Sequence, residues 1–230
     1  MLDSISNILN NLEDERLFVV DVGCHKGHFR DQLFSVVRKP IYIVGIDPMN
    51  HDVSDKYDKY IKIAIDDVDS PTIKSFYEYI EPGCNSLLPM NIEIITHNDP
   101  NDTNKWFVNQ EIEKLINKSD VAVDSLQNAI DFLGMNILKI HLIKVDTQGN
   151  DIRVVKSLRN YLSKTVLIQI ETVITHNPKV VLYENQHIME KDIEDMLELG
   201  FTLLDVDYHD FEFKVNEADA FFYNSKLLQL

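Results

Sequence analysis

Cysteine is scarce in this sequence. Only Cys24 and Cys84 occur, in dissimilar contexts and without C-x-x-C spacing, so no disulfide framework or zinc-ligand pattern exists and a reducing, cytoplasmic setting fits. Basic residues are also few, 22 Lys and Arg against 38 Asp and Glu, and none of them cluster. Without a positive stripe to track a phosphate backbone, no nucleic-acid partner is expected. No apolar run is long enough to span a bilayer, and the N-terminus "MLDSISNILNNLEDE" lacks a basic start followed by an apolar stretch. Neither a membrane partner nor a signal peptide is therefore expected. Internal repeats and low-complexity tracts are absent too. What remains is 230 residues suited to one α/β domain, with a leading helix over 1–16 and a core over 17–224.

Strand and helix patterns alternate along that core. The leading helix places Ile5, Ile8, Leu9 and Leu12 on one face, and "RLFVV" then reads as a buried strand. Phe29, Leu33, Val36 and Val37 mark a helix ending before Pro40, followed by the strands "IYIVGI" and "YIKIAI". Ile73, Phe76, Tyr77 and Ile80 have the spacing of a helix starting at Pro71, and Leu126, Ala129, Ile130 and Leu133 that of another. Next come the strand "IHLIKV", a helix with Ile152, Val155 and Leu158 inward, and the strand "VLIQI". Beyond Pro178 a helix around Ile193, Met196 and Leu197 stops at Gly200, before "FTLLDV" and "DAFFYN". The pattern predicts an α/β fold with a Rossmann-like, doubly wound, mostly parallel sheet and an antiparallel C-terminal edge. "THNDPNDTNKWF" reads as a long surface loop.

The junction "VVDVGCHKGHFRDQLF" places Asp21, Gly23 and Gly27 between a strand and a helix. Glycines there let the backbone turn and a ligand approach it, while the following helix presents unpaired N–H groups. The spacing D-x-G-x-x-x-G is not the G-x-G-x-x-G of dinucleotide binders. An acid at this mouth repels a pyrophosphate and attracts an ammonium or sulfonium, and S-adenosyl-L-methionine carries both. At the end of the second strand, Asp47 in "IVGIDP" supplies an acceptor for ribose hydroxyls. In "AIDDVD", Asp66 or Asp67 is placed to accept from an adenine amino group, whereas Asp69 before "SPT" reads as a cap.

The chain resembles the FkbM-type S-adenosylmethionine-dependent methyltransferases from about Leu17 to Gly200. "VVDVGCHKG", "GIDP", "NSLL", "LIKVDTQGNDIRVVKSL" and "IQIE" carry the likeness, most specifically Lys144-Val145-Asp146 with Gly149. The resemblance implies a class I methyltransferase fold and a cofactor site built from Asp21, Gly23, Cys24, His25, Gly27, Asp47, Pro48 and Asp66. It also implies Asn85 and Ser86 near the acceptor. The chain departs from the family pattern at His25 (commonly Asn), and at Gln148 and Gln127 (usually acids). Gln148 keeps hydrogen bonding but no charge.

Methyl transfer requires an acceptor held in line, water excluded and, for a hydroxyl acceptor, a proton removed. Asp146 and Glu171, at the ends of two strands beside the crevice, are the leading catalytic residues, with a purely structural role as turn cap or ion-pair partner the competing reading. His25 and His176 are the alternative bases. Asp66, Asp146 and Glu171 lack compact metal-ligand spacing, so no metal is expected. Cys24 reads as a small residue packed under the cofactor, and Trp106 and Phe107 as a lid or re-entry into the core. The expected activity is O-methylation of a small molecule or saccharide. A nicotinamide-dependent oxidoreductase and a non-catalytic binding module are the alternatives; the missing G-x-G-x-x-G disfavours the first, while Gln127 and Gln148 speak for the second.

Overall fold

The computed structural model describes residues 2–49, 52–91, 114–175, 181–208 and 216–228. Parallel strands β1 (Leu17–Val22), β2 (Ile41–Ile46), β3 (Lys59–Ile61), β7 (Ile140–Val145) and β8 (Thr165–Ile174) join antiparallel β9 (Phe201–Tyr208) and β10 (Asn216–Asn224). The seven-stranded order is β3-β2-β1-β7-β8-β10-β9. Every residue of β1 and β7 is buried, as expected of parallel strands covered on both faces.

Side chains alternate between those faces. Val20, Val22, Ile143 and Val145 pack with α3 (Leu126–Asp131), α4 (Asp151–Lys156) and α5 (Met189–Glu198). Val19, Ile43 and Leu142 pack on the other face with Ile5 and Leu9 of α1 (Leu2–Asn11) and Phe29 and Leu33 of α2 (His28–Val36). The doubly wound sheet with its antiparallel edge is thus as the alternation predicts. Among the described residues no helix is long and apolar enough to cross a membrane.

Three expectations change. Residues 72–79 form not a helix but strand β5 (Thr72–Tyr79), in a small sheet of order β4-β6-β5 with β4 (Ala64–Ile65) and β6 (Leu115–Asp124). Phe76 and Tyr79 are buried while Ile73 and Ile80 are exposed, so the helical spacing of apolar residues does not describe what is covered. Thr, Ile, Phe and Tyr favour a pleated surface, and pairing with a strand 40 or so residues away decides the state. The stretch "YIKIAI" divides between β3 of the large sheet and β4 of the small one. In α5, Met196 is fully buried but Leu197 is exposed. His176, Trp106, Phe107 and the loop that holds the two aromatics lie outside the described residues.

The chain runs from β1 to β2 on one side and later returns to β7 on the other. The strand order reverses there, which opens a crevice at the carboxyl ends of β1 and β7, where open α/β sheets bind ligands.

Candidate active site

At the top of that crevice two loops cross backbone to backbone. Gly23 has φ 72°, and a Cβ on it would lie 1.8 Å from the carbonyl oxygen of Asp146. The Asp146 N–H donates to Val22 O at 3.1 Å, and the Gly23 N–H donates to Ile46 O at 2.9 Å. Glycine is therefore required where the β1 loop meets the β7 loop.

Asp21 lies beneath this crossing, fully buried, rather than at its mouth. Its Oδ2 accepts from the Tyr57 hydroxyl at 2.7 Å, and its Oδ1 is 3.6 Å from Lys144 Nζ. Gly45, level with Asp21 in the β1–β2 register, makes room for this contact: a Cβ there would stand 2.8 Å from the Tyr57 ring. Burial pushes the Asp21 carboxyl up, against Lys144 and the Tyr57 bond. Burial pulls the Lys144 ammonium down, but Asp146 and Asp21 outweigh it and hold it above the ordinary lysine range. Lys144 also donates to Gly23 O at 3.2 Å and pairs with Asp146 Oδ2 at 3.2 Å. One buried ammonium thus ties both crossing loops together. The expected attraction of Asp21 for a cationic ligand is redirected into this internal pairing.

The crevice, about 690 Å³ of open space, runs from Asp146 and Gly23 past Asp47 to an apolar end. Asp47 accepts from the His25 N–H at 3.0 Å through Oδ2 and from the Met49 N–H at 2.8 Å through Oδ1. A carboxylate at this point of the crevice is an acceptor suited to ribose hydroxyls. Ile63, Ile65, Met49 and Phe76 line a slot beyond it. Asn150 lines the same slot; its Nδ2 donates to Ile65 O at 3.2 Å, and its buried Oδ1 has no hydrogen-bond partner among the described residues. An acid, an apolar slot and an orphaned amide oxygen fit a nucleoside, the base against the aliphatic wall and its amino group on Asn150. Pro48 and His25 line this crevice too, while Gly27 begins α2 with Lys56 and Tyr57 beside it.

Asp66 is placed differently from expectation. It accepts from Arg153 Nε and from the Asp67 N–H, both at 2.7 Å, pairs with Lys74, and does not line the crevice. Burial raises its carboxyl, but Arg153 and Lys74 outweigh that and hold it below the usual carboxylate range. Asp66 fastens the small sheet to α4. Among the described residues no group of three His, Cys, Asp or Glu is placed to hold a metal ion.

At the edge of the crevice an amide joins Asp146 to a second carboxyl, Glu171, which lines the neighbouring depression. Gln148, at φ 58°, donates through Nε2 to Asp146 Oδ1 at 2.9 Å and to Glu171 Oε2 at 2.8 Å. Its Oε1 accepts from the Tyr183 hydroxyl at 2.9 Å. A neutral amide bridging two acids does what a third carboxylate there could not. Glu171 pairs with neither Lys144 nor Arg153; burial first, then the Asp146 charge, pushes its carboxyl well above the ordinary range. Ser86, buried, donates to Gln148 O at 2.7 Å and accepts from the Leu88 N–H, so it holds the bridge's backbone. Asn85 lines the crevice and accepts from the Tyr79 N–H. Burial pushes the Cys24 thiol far above its usual value, which leaves no reactive thiolate.

Asp151, one turn below, is buried with Oδ1 accepting from the Thr147 N–H at 3.2 Å and Oδ2 unpartnered among the described residues. Burial, then the Asp146 charge, pushes its carboxyl up to about 8 from 3.8. A raised carboxyl keeps its proton in the folded chain but loses it in the unfolded one. Its contribution is therefore full below about 4 and is lost as pH rises towards 8. Asp151→Asn removes this dependence, so between pH 5 and pH 8 its urea midpoint should fall less than the wild type's, by the equivalent of a few kcal/mol. Parallel midpoints in the two proteins would show that Asp151 is already ionised in the folded chain at pH 5.

Comparison with known proteins brings in the family. No curated protein matches the chain. Among solved structures, a Burkholderia thailandensis 1,6-didemethyltoxoflavin-N1-methyltransferase with S-adenosylhomocysteine is 8% identical (TM-score 0.46, covering 97% of this chain and 77% of that one). Magnesium protoporphyrin IX methyltransferase from Synechocystis PCC 6803, with bound SAM, is 11% identical (TM-score 0.47, 97% and 78%). Both likenesses are too distant to bear on the chemistry of this site. The methyltransferase FkbM domain model, by contrast, matches residues 21–213, which include both crossing loops and the bridged carboxyls. This chain therefore belongs to the FkbM methyltransferase domain family, and S-adenosyl-L-methionine is its methyl donor.

Proposed function

We propose that this methyltransferase is O-directed and acts on a hydroxyl of a small molecule or saccharide. The observation that carries the reading is the Asp146–Gln148–Glu171 bridge beside Gly23, which holds two carboxyls where an acceptor would meet the methyl group. The cofactor supplies an activated methyl on a sulfonium. The chain's part is to hold the nucleoside through Asp47 and Asn150, to orient the acceptor hydroxyl on Asp146 Oδ1 or Oδ2, and to take its proton there. Glu171 gives a second polar anchor. His25, whose backbone serves Asp47, lines the same crevice and is the reserve base. A non-catalytic reading draws on Gln148 in place of an acid, yet the amide's bonds keep the carboxyl pair assembled. Incubation with methyl-labelled S-adenosylmethionine and a panel of hydroxyl-bearing acceptors tests the proposal. Label in an ether product supports it, and label only on nitrogen or carbon contradicts it.

Asp47→Ala should weaken S-adenosylhomocysteine binding at least tenfold. Hydrogen bonds to a charged group contribute about 1.5–3 kcal/mol, and the His25 and Met49 N–H groups lose their acceptor as well. Calorimetry reads this directly, and NAD should give no saturable heat with either protein. Unchanged affinity in a folded Asp47→Ala variant would move the ribose elsewhere.

A further inference from the structure

A second depression, about 740 Å³ of open space, adjoins the cofactor crevice and shares Gly23, His25 and Asp146 with it. Its floor is the carboxyl end of β7, the end half of β8 and the facing part of β10. Register sets Lys144 beside Gln169 and Glu171 opposite Asp219. Lys26, His28 and Gln32, from the start of α2, form the wall. Apolar lining is confined to Cys24 and Phe29. Gln169 is 5% exposed, in the middle of the sheet, and its Oε1 has no hydrogen-bond partner among the described residues. A buried amide oxygen in that state is costly, and a donor brought by a ligand would satisfy it.

We infer that this trough seats the methyl acceptor, and that the acceptor is an uncharged, hydroxyl-rich molecule of saccharide size that donates to Gln169 Oε1. The inference rests on the O-methylation reading above. Gln169 Oε1 and the carboxyls of Asp146 and Asp219 accept hydrogen bonds, while Glu171, whose carboxyl burial holds in its protonated form, and Lys26 and Gln32 on the wall donate, so the matching ligand is one whose several hydroxyls both donate and accept. The Lys144 ammonium on the floor is already engaged by Asp21, Asp146 and Gly23 O, which leaves Lys26 on the wall to face a phosphorylated acceptor against the Asp146 and Asp219 carboxyls and a chain of net charge −16. The shared boundary at Gly23 and Asp146 brings such a molecule to the cofactor crevice without crossing the small sheet.

The test uses the full chain, methyl-labelled S-adenosylmethionine, and a panel of neutral mono- and disaccharides with their phosphate esters. Neutral members should be labelled, and each phosphate ester at least tenfold less. On the best neutral acceptor, Gln169→Leu should raise KM at least tenfold with a much smaller change in kcat and in S-adenosylhomocysteine affinity. Asp219→Asn, on the partly exposed edge of the trough, should raise KM in the same sense and decides the matter if Gln169→Leu does not fold. An unchanged KM in whichever variants fold would overturn the seat while leaving O-methylation standing. Preference for the phosphate esters would overturn the acceptor's chemistry. If no saccharide is labelled while another hydroxyl-bearing acceptor yields a labelled ether, the saccharide seat is overturned and O-methylation stands; label only on nitrogen or carbon overturns both.

Discussion

Asp146→Asn is expected to cut methyl transfer by about 10²–10⁴-fold, the usual contribution of a positioned general base, while S-adenosylhomocysteine still binds within a few-fold of wild type. The amide keeps the shape and one acceptor oxygen. However, Asp146 Oδ1 faces the Gln148 amide and Oδ2 faces the Lys144 ammonium, both donors. The new NH₂ must point at one of them. The variant should therefore also lose about 1–3 kcal/mol of stability, or several degrees in Tm, without unfolding at room temperature. Normal turnover on a genuine acceptor would place the base elsewhere, with His25 next. Loss of cofactor binding would make Asp146 a purely structural member of the loop crossing.

Gly23→Ala should be the most damaging single-methyl change in the molecule. Its Cβ would lie 1.8 Å from a backbone carbonyl oxygen, at φ 72°, and no side-chain rotation relieves a backbone clash. The crossing must part, which breaks the Lys144 bond to Gly23 O and shifts Asp146. A loss of several kcal/mol and no measurable S-adenosylhomocysteine binding are expected. Gly134→Ala is the control: φ is 64° there too, but nothing lies within 4 Å of the added methyl, so only the backbone cost of about 1–2 kcal/mol applies. If the two variants melt together and both bind cofactor, the crossing does not constrain the site as described.

Much of this site was legible before any coordinates. Asp21, Gly23, Asp47 and Asp146 fall at or beside strand ends, and strand ends follow from apolar runs that need only local sequence; Glu171, expected at such an end, lies within β8, which runs on to Ile174. What those side chains do was less legible. Asp21 reads as a charge facing the ligand, yet it is consumed by Tyr57, 36 residues away, and by Lys144. Asp66 reads as an adenine contact, yet Arg153, 87 residues away, takes it, while Asn150 reaches Ile65 across 85 residues to line the slot. Such pairings have no periodic signature. The β5 segment misleads for the same reason, since its helical spacing is overridden by pairing with β6. Gln148 was visible as a missing charge, but its bridging of two carboxyls shows only when Glu171, 23 residues on, is brought beside it.

A crystal structure of the chain with S-adenosylhomocysteine tests the central claim most directly. The ribose hydroxyls are expected on Asp47, the adenine between Ile65 and Phe76 with its amino group on Asn150, and the sulfur beside Gly23 and Asp146. Density for the nucleoside in the trough of Gln169 and Asp219, or away from the β1–β7 crossing altogether, would contradict it.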